Sequence, residues 1–157
     1  MTEFFIGAAI IIALFAIALS RERHRERLLK AWVAHHAGAA IHRSFEIPAL
    51  TEFPAAELVE KFVGRPALGL ASAMEIPRPE GTLWLAEYRT TPLGAKTDKW
   101  FTLVAQRFPD DAAATAVASS REDLIARGPW VCRGLSGLIT IKMLDGLGEE
   151  PLSSSLP

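Results

Sequence analysis

The chain has 157 residues, enough for one domain, or for one small domain with an anchor. Half of its residues are hydrophobic, while seventeen basic and eighteen acidic side chains leave a net charge of only −1. Five of the basic residues fall between positions 21 and 30, so the remainder is mildly acidic, which argues against nucleic acid as a partner.

An uninterrupted apolar run opens the chain. From Phe4 to Leu19, sixteen residues carry no charge or strongly polar group, and as a helix they would span about 24 Å. A hydrocarbon core is roughly 30 Å thick, but flanking residues extend the run and Arg21 and Arg23 can reach the interface. The sequence predicts a retained transmembrane anchor at 1–20 over a cleaved signal peptide, which would have a basic start, and over a buried soluble helix.

The basic residues after the apolar run orient it, because basic flanks stay on the cytoplasmic side of a membrane. We expect a single-pass protein of the bacterial inner membrane, with the N-terminus outside and the C-terminal domain in the cytoplasm. Five side chains are expected to anchor the helix at the membrane interface: Arg21, Arg23, Arg25, Arg27 and Trp32.

The helix is expected to continue through these charges as a basic amphipathic segment at 21–38. A stripe recurs at helical spacing and comprises Leu28, Leu29, Trp32, Val33 and His36, and Gly38 is a candidate C-cap. The sequence thus predicts one helix from Phe4 to about Ala37.

Small residues form a stripe along the apolar half of this helix: Ala9, Ala13, Ala16 and Ser20. Small side chains at this spacing allow a second helix to approach closely. We expect this stripe to pack against a helix of an integral membrane partner.

Beyond Gly38, the pattern predicts a small antiparallel sheet domain with one or two short helices, at 39–148. A first strand is expected in Ala39–Ile47, and a helix between Thr51, its N-cap, and Gly64. The runs "LGLASAMEI", "TLWLAEYRT" and "KWFTLVAQRF" are separated by Pro- and Gly-containing turns, which is typical of an antiparallel meander. The middle run has no polar face at its start and is expected to be a central strand.

The last third predicts a short helix with Ser120 as N-cap and Asp123 three residues later, ending at Gly128. A final hairpin is expected at "PWVCRGLSGLITIKML", with its turn around Gly134–Gly137. Residues 149–157 are expected to form an extended tail. The fold class is therefore α+β, with an N-terminal transmembrane helix.

No residue pattern indicates a cofactor, a metal or catalysis. The candidate metal ligands are His24, His35, His36, His42 and Cys132, but His35 and His36 point about 100° apart on a helix and no second pair is present. The glycines form no phosphate-binding loop, and no serine lies in a hydrolase motif. The aromatic residues Trp84, Trp100, Trp130 and Tyr88 are expected to pack in the core, with a ligand groove as the alternative.

The layout of "FFIGAAIIIALFAIAL", a basic exit "RERHRER" and a strand-rich domain resembles the H subunit of purple-bacterial photosynthetic reaction centres. That resemblance implies a cofactor-poor subunit that covers the cytoplasmic face of a larger membrane complex. The segments "LLKAWVAHHAG", "FVGRPALGL" and "LAEYRTTPLGAKTDKWFTLVAQRFP" are similar to a group of bacterial single-span proteins of unknown function, which implies a fold and no activity.

Two hypotheses follow for the function, and a membrane-bound enzyme ranks third. The first is a non-catalytic accessory subunit that stabilises a larger membrane complex, such as a photosynthetic reaction-centre, light-harvesting or other electron-transport assembly. The second is an independent membrane-tethered binding or sensing module that uses a groove on the sheet for a peptide, a lipid headgroup or a small ligand.

Overall fold

The computed structural model describes residues 2–43, 55–64, 67–90 and 99–149. Four helices and six strands follow one another in this part of the chain: α1 (Thr2–His35), β1 (Ala40–Arg43), α2 (Ala55–Val63), β2 (Ala67–Ile76), β3 (Leu83–Thr90), β4 (Lys99–Arg107), α3 (Asp111–Ser119), β5 (Leu124–Arg127), β6 (Trp130–Ser136) and α4 (Ile141–Glu149). The predicted α+β class is confirmed.

The six strands form one sheet in the order β1-β2-β3-β4-β6-β5, and all neighbours are antiparallel. The predicted meander of three strands is confirmed as β2, β3 and β4, and the separately predicted first strand is present as β1 beside β2. The central position of β3 is confirmed as well. Its residues from Leu83 to Tyr88 are all buried, so both of its faces are covered.

Helices cover the sheet on both faces. On one face, Leu58 and Val59 of α2 pack with Leu103 of β4 in one apolar cluster. Gly134 of β6 belongs to this face, and a Cβ there would lie 2.6 Å from the ring of Phe101. The opposite face carries a second apolar cluster, to which α1, α3 and α4 contribute: Leu29, Ala114, Val117, Leu144 and Leu147.

α1 is continuous for 34 residues, from the apolar run through the arginines, as the sequence predicts. It ends at His35, two residues before the expected end, and Gly38 follows with a φ of +81°, a backbone conformation that favours glycine. Within the described ranges, no helix is both long enough and apolar enough to cross a membrane. The N-terminal helix is therefore confirmed, whereas its passage through a membrane stays a prediction.

The prediction of a helix that begins after Ser120 is wrong. The helix lies before it, as α3, and Ser120 is the C-cap, while Asp110 is the N-cap and accepts the backbone N–H of Ala113 at 2.7 Å. The residues that follow form β5. Asp123 does not cap a helix, because its carboxylate pairs with Arg121 and with Arg133 of β6, at 2.9 and 2.8 Å.

The predicted final hairpin is also misplaced. Its first strand is present as β6, but β6 pairs with β5 through a turn at Gly128, whose φ is +56°. The run "ITIKML" is not a strand, because Ile141 begins α4. The hydroxyl of Thr140 accepts the backbone N–H of Met143 at 3.3 Å and so caps this helix.

Three predictions lie outside the described residues. They concern the N-cap at Thr51, the continuation of the first strand through 44–47, and the tail from residue 150 onwards. Glu149, placed at the start of the tail, is the last residue of α4.

Candidate functional site

The first half of α1 carries large apolar side chains that no other described part of the chain covers. Eight of them are between 43% and 69% exposed: Ile6, Ile10, Ile11, Ile12, Leu14, Phe15, Ile17 and Leu19. They point in all directions around the helix, because consecutive residues turn by about 100°. A helix that is apolar all round is ordinarily surrounded by other apolar groups.

The second half of α1 is docked on the sheet domain. Leu29 is buried in the cluster beneath α1, α3 and α4, and Trp32 and Val33 pack against that cluster. The indole Nε1 of Trp32 donates to Asp145 of α4 at 3.3 Å, and its ring stacks on His36 at 3.6 Å. Trp32 therefore joins α1 to the domain.

A buried carboxylate fixes the position of α1 on the sheet. Glu87 of β3 is only 2% exposed and accepts three hydrogen bonds. Arg25 Nη1 donates at 2.6 Å, Ser72 Oγ at 2.6 Å and the backbone N–H of Ile139 at 2.7 Å. Because Ser72 belongs to β2 and Ile139 precedes α4, this carboxylate connects four parts of the chain.

Both terminal nitrogens of the Arg25 guanidinium have acceptors, whereas its buried Nε has none among the described residues. Its Nη2 donates to Glu22 at 2.8 Å, one turn earlier on α1, and its Nη1 also contacts the carbonyl of Ile139 at 3.3 Å. Burial acts to lower the pKa of the guanidinium, but the hydrogen bonds to Glu22 and Glu87 outweigh it and the pKa is raised. We refer to Arg25, Glu87, Ser72 and Ile139 as the α1 junction.

The junction sets the direction of α1, which runs antiparallel to β3. Arg25 lies beside Glu87, close to the end of β3. Gly38, beyond the end of α1, lies beside Pro77, since a Cβ on Gly38 would be 2.9 Å from that proline ring. Pro77 directly follows the last residue of β2, which pairs with the first residue of β3, so Gly38 lies near the start of β3. The apolar half of α1 therefore extends past the end of β3 marked by Thr90.

The structure separates Arg25 from the other arginines of the predicted interface group. Arg21, Arg23 and Arg27 are exposed, whereas Arg25 lies against the sheet together with Trp32. Contact of the five predicted residues with a membrane interface stays a prediction.

The predicted packing stripe lies on the other side of the helix. The side chains of Ala9, Ala13, Ala16 and Ser20 are exposed. At about 100° per residue, their mean direction differs by about 175° from that of Arg25, Leu29, Trp32 and Val33, which dock α1 on the sheet. The stripe therefore faces away from the sheet domain.

The candidate metal ligands do not come together. Within the described part of the chain, no group of three or more His, Cys, Asp or Glu side chains could hold a metal ion. His35 and His36 each contact a carbonyl of the preceding helical turn at 2.7 Å, and His42 pairs with Glu75 at 3.0 Å. Cys132 is fully buried, and burial raises the pKa of its thiol to about 12.

Three of the four expected core aromatics are buried: Trp84, Trp130 and Tyr88. Trp100 differs, since it is 38% exposed at the start of β4, where it pairs in register with Arg89 of β3. These two side chains and residues 69–71 of β2 line an open groove of about 170 Å³. The groove lies at the end of the sheet past which the apolar half of α1 extends.

Sequence reasoning missed Glu87, although a signal was present. A carboxylate in the middle of "LWLAEY", a run predicted to be a central strand, indicates a buried charge that requires a partner. The identity of that partner was not readable, because Arg25 lies 62 positions away.

Comparison with known protein families, with characterised proteins and with solved structures finds no match to this chain.

Proposed function

We propose that this chain is a non-catalytic accessory subunit, anchored by α1 in a membrane, that stabilises a larger membrane protein complex. The observation that carries the proposal is the contrast within α1. Its second half is fixed to the sheet by the α1 junction, while eight large apolar side chains of its first half remain exposed. At about 1.5–3 kcal/mol for each fully buried side chain, covering this segment releases a large free energy.

Lipid is the covering that the sequence favours. The run from Phe4 to Leu19 is about 24 Å long as a helix, and a locally thinned bilayer together with interfacial reach of Arg21 and Arg23 accommodates the difference from roughly 30 Å. The exposed basic residues that follow favour the cytoplasmic side. In this proposal, the N-terminus is outside and the sheet domain is in the cytoplasm of a bacterium.

The packing stripe supplies the contact with the partner subunit. Because Ala9, Ala13, Ala16 and Ser20 face away from the sheet domain, a neighbouring transmembrane helix can approach them without meeting the domain. The layout shared with reaction-centre H subunits makes a photosynthetic or other electron-transport complex the proposed class of assembly.

The α1 junction suits a structural role. A helix held rigidly on its domain transmits the position of the membrane segment to the domain surface, so both can contact one partner in a fixed geometry. The sequence contains no catalytic motif that would assign a reaction to this chain.

The proposal is tested by purifying the tagged chain from its native membrane in a mild detergent and identifying the proteins that co-migrate. Ala13→Phe should reduce co-purification, because the ring blocks close helix contact while the segment stays apolar. Ala18→Phe is the matched control, since residue 18 lies about 140° round the helix from residue 13.

A chain that migrates alone would favour the alternative, an independent membrane-tethered binding or sensing module. Equal co-purification of both variants would show that the stripe is not the contact with the partner.

A further inference from the structure

We infer that the end of the sheet around Trp100 rests on the surface of an anionic phospholipid bilayer. We call this region the Trp100 edge, and it comprises Arg89, Lys99, Trp100 and residues 69–71. The inference rests on the proposed membrane anchoring by α1 and adds a second, separate membrane contact made by the sheet.

The Trp100 edge lies at the height along α1 where the apolar run ends. Going from Arg25 back to Arg21 along α1 is about 6 Å, and going from Glu87 on to Arg89 along β3 is about 6.6 Å. Both steps lead in the same direction, because α1 and β3 are antiparallel and Arg25 contacts Glu87. Arg89 therefore lies level with Arg21, the first charged residue after the apolar run.

The strand pairing places the start of β4 at the same height as Arg89. Trp100 pairs directly with Arg89, and Lys99 pairs with Thr90, one residue nearer to the apolar half of α1. The backbone N–H of Gly137 donates to the carbonyl of Trp100 at 2.9 Å, which brings the end of β6 to the same edge.

The exposed side chains of the Trp100 edge are of types that favour a membrane interface. Arg89 and Lys99 are exposed, and Trp100 is 38% exposed beside them. Trp is enriched at membrane interfaces because its apolar ring and its N–H suit the headgroup region. Cationic side chains close to an anionic leaflet contribute about 1 kcal/mol each. The exposed Arg21 and Arg23 of α1 stand close to the same boundary.

The face of the sheet is also the appropriate one. Arg89 is two residues after Glu87, so both side chains project from the face on which α1 docks. The groove between Arg89, Trp100 and residues 69–71 is open and lies on this edge. It is suited to an anionic headgroup phosphate at the level where phospholipid headgroups would surround α1.

The test uses the full chain reconstituted in vesicles of phosphatidylcholine and phosphatidylglycerol, with a fluorescent label on one introduced cysteine. Ser136→Cys places the label at the Trp100 edge, since Ser136 is exposed and pairs with Phe101. Glu80→Cys places it in the turn between β2 and β3, at the opposite end of the sheet. Ala13→Cys reports on α1 itself, and the buried Cys132 is left in place, with the unaltered chain as blank.

Quenching lipids then report depth. A quencher near the headgroups should remove most of the emission at position 136 and little at position 80, whereas a deep quencher should act on position 13. Adding Lys99→Gln with Trp100→Ala should reduce quenching at position 136. Arg107→Gln, at the far end of β4, is the charge control and should leave it unchanged.

The outcomes separate the two proposals. Quenching at position 13 with position 136 no more quenched than position 80 would overturn the inference and leave the anchoring intact. Absence of quenching at position 13 would overturn the anchoring and the inference with it. Quenching at position 136 that persists without phosphatidylglycerol and in the Lys99 and Trp100 variant would show that this edge does not recognise the anionic surface.

Discussion

Replacing Arg25 with methionine tests whether the α1 junction holds the helix on the sheet. Met retains an unbranched apolar stem but removes the charge that faces Glu87. The carboxylate of Glu87 is 2% exposed, so water cannot replace the lost hydrogen bond without rearrangement. The hydrogen bonds from Ser72 and Ile139 remain, but neither donor is charged.

The magnitude follows from that burial. Removing one partner of a buried ion pair costs about 3–5 kcal/mol, because an uncompensated charge is left behind. The Arg25 side chain is 21% exposed, so solvent can partly reach the junction and the low end, about 3 kcal/mol, applies. With a urea dependence of about 2 kcal/mol per molar, the unfolding midpoint should fall by about 1.5 M.

Replacing the other partner of the ion pair, Glu87, should lower the free energy of unfolding by less. In Glu87→Gln the amide oxygen still accepts from Ile139, and Arg25 keeps Glu22 and can turn towards solvent, so we expect about 1–2 kcal/mol. The double variant should lose about 1–3 kcal/mol less than the sum of the single variants, because the two side chains contact each other directly.

The assay is urea unfolding of the full chain in maltoside micelles, followed by the emission of the buried Trp84 and Trp130. Arg27→Met is the matched control, since Arg27 is exposed two positions further along α1 and its replacement should change stability by less than about 0.5 kcal/mol. Equal midpoints for Arg25→Met and Arg27→Met, or strictly additive single variants, would refute the reasoning.

Three further outcomes are expected in the same unfolding assay. Gly134→Ala should destabilise the protein by about 1–3 kcal/mol, because the new Cβ would lie 2.6 Å from a phenylalanine ring. Gly146→Ala should stabilise it by about 0.5–1 kcal/mol, because a Cβ there would meet open space on α4. Equal effects of the two variants would contradict the packing around Gly134. Asp110→Ala removes the N-cap of α3 and should cost about 1 kcal/mol, and no loss would argue against the cap. Burial raises the pKa of Cys132 from 9.0 to about 12 and that of Tyr88 above 10.0. These two groups should therefore not change stability below about pH 9, and should lower it above that pH by up to about 1.4 kcal/mol per pH unit and group; a flat profile from pH 9 to pH 11 would contradict this.

The sequence predicts those elements whose patterns are local and strong. The apolar run, the basic segment after it and the Pro- and Gly-bounded strands each determine their own conformation, so α1 and the meander of β2, β3 and β4 are found where expected. The central position of β3 was readable because neither of its faces is polar at its start.

The predictions of a helix after Ser120 and of a final hairpin are wrong. Residues that match the pattern of a helix cap there make other contacts. Asp123 follows Ser120 at capping-box spacing, yet its carboxylate pairs with Arg133 on the neighbouring strand. The run "ITIKML" is rich in strand-forming residues, but Gly137, with a φ of +96°, ends β6 and Thr140 caps α4. A contact between strands outweighs the local preference in the first case, and local turn and cap residues outweigh it in the second.

The junction could be anticipated only in part. Glu87 is conspicuous within an apolar strand, whereas Arg25 looks like its neighbours Arg23 and Arg27. Arg25 differs from them because it lies one turn before Leu29, on the side of α1 that faces the sheet. Its partner Glu87 lies on a strand 62 positions further along the chain. Local sequence carries no information on such a pairing.

The central claim, that the first half of α1 embeds this chain in a membrane, is tested most directly by alkaline carbonate extraction of membranes that contain the full chain. The account predicts that the full chain stays in the membrane pellet, whereas a chain lacking residues 1–20, which retains the α1 junction, is released in folded form. A full chain that is recovered in the carbonate supernatant would contradict the claim.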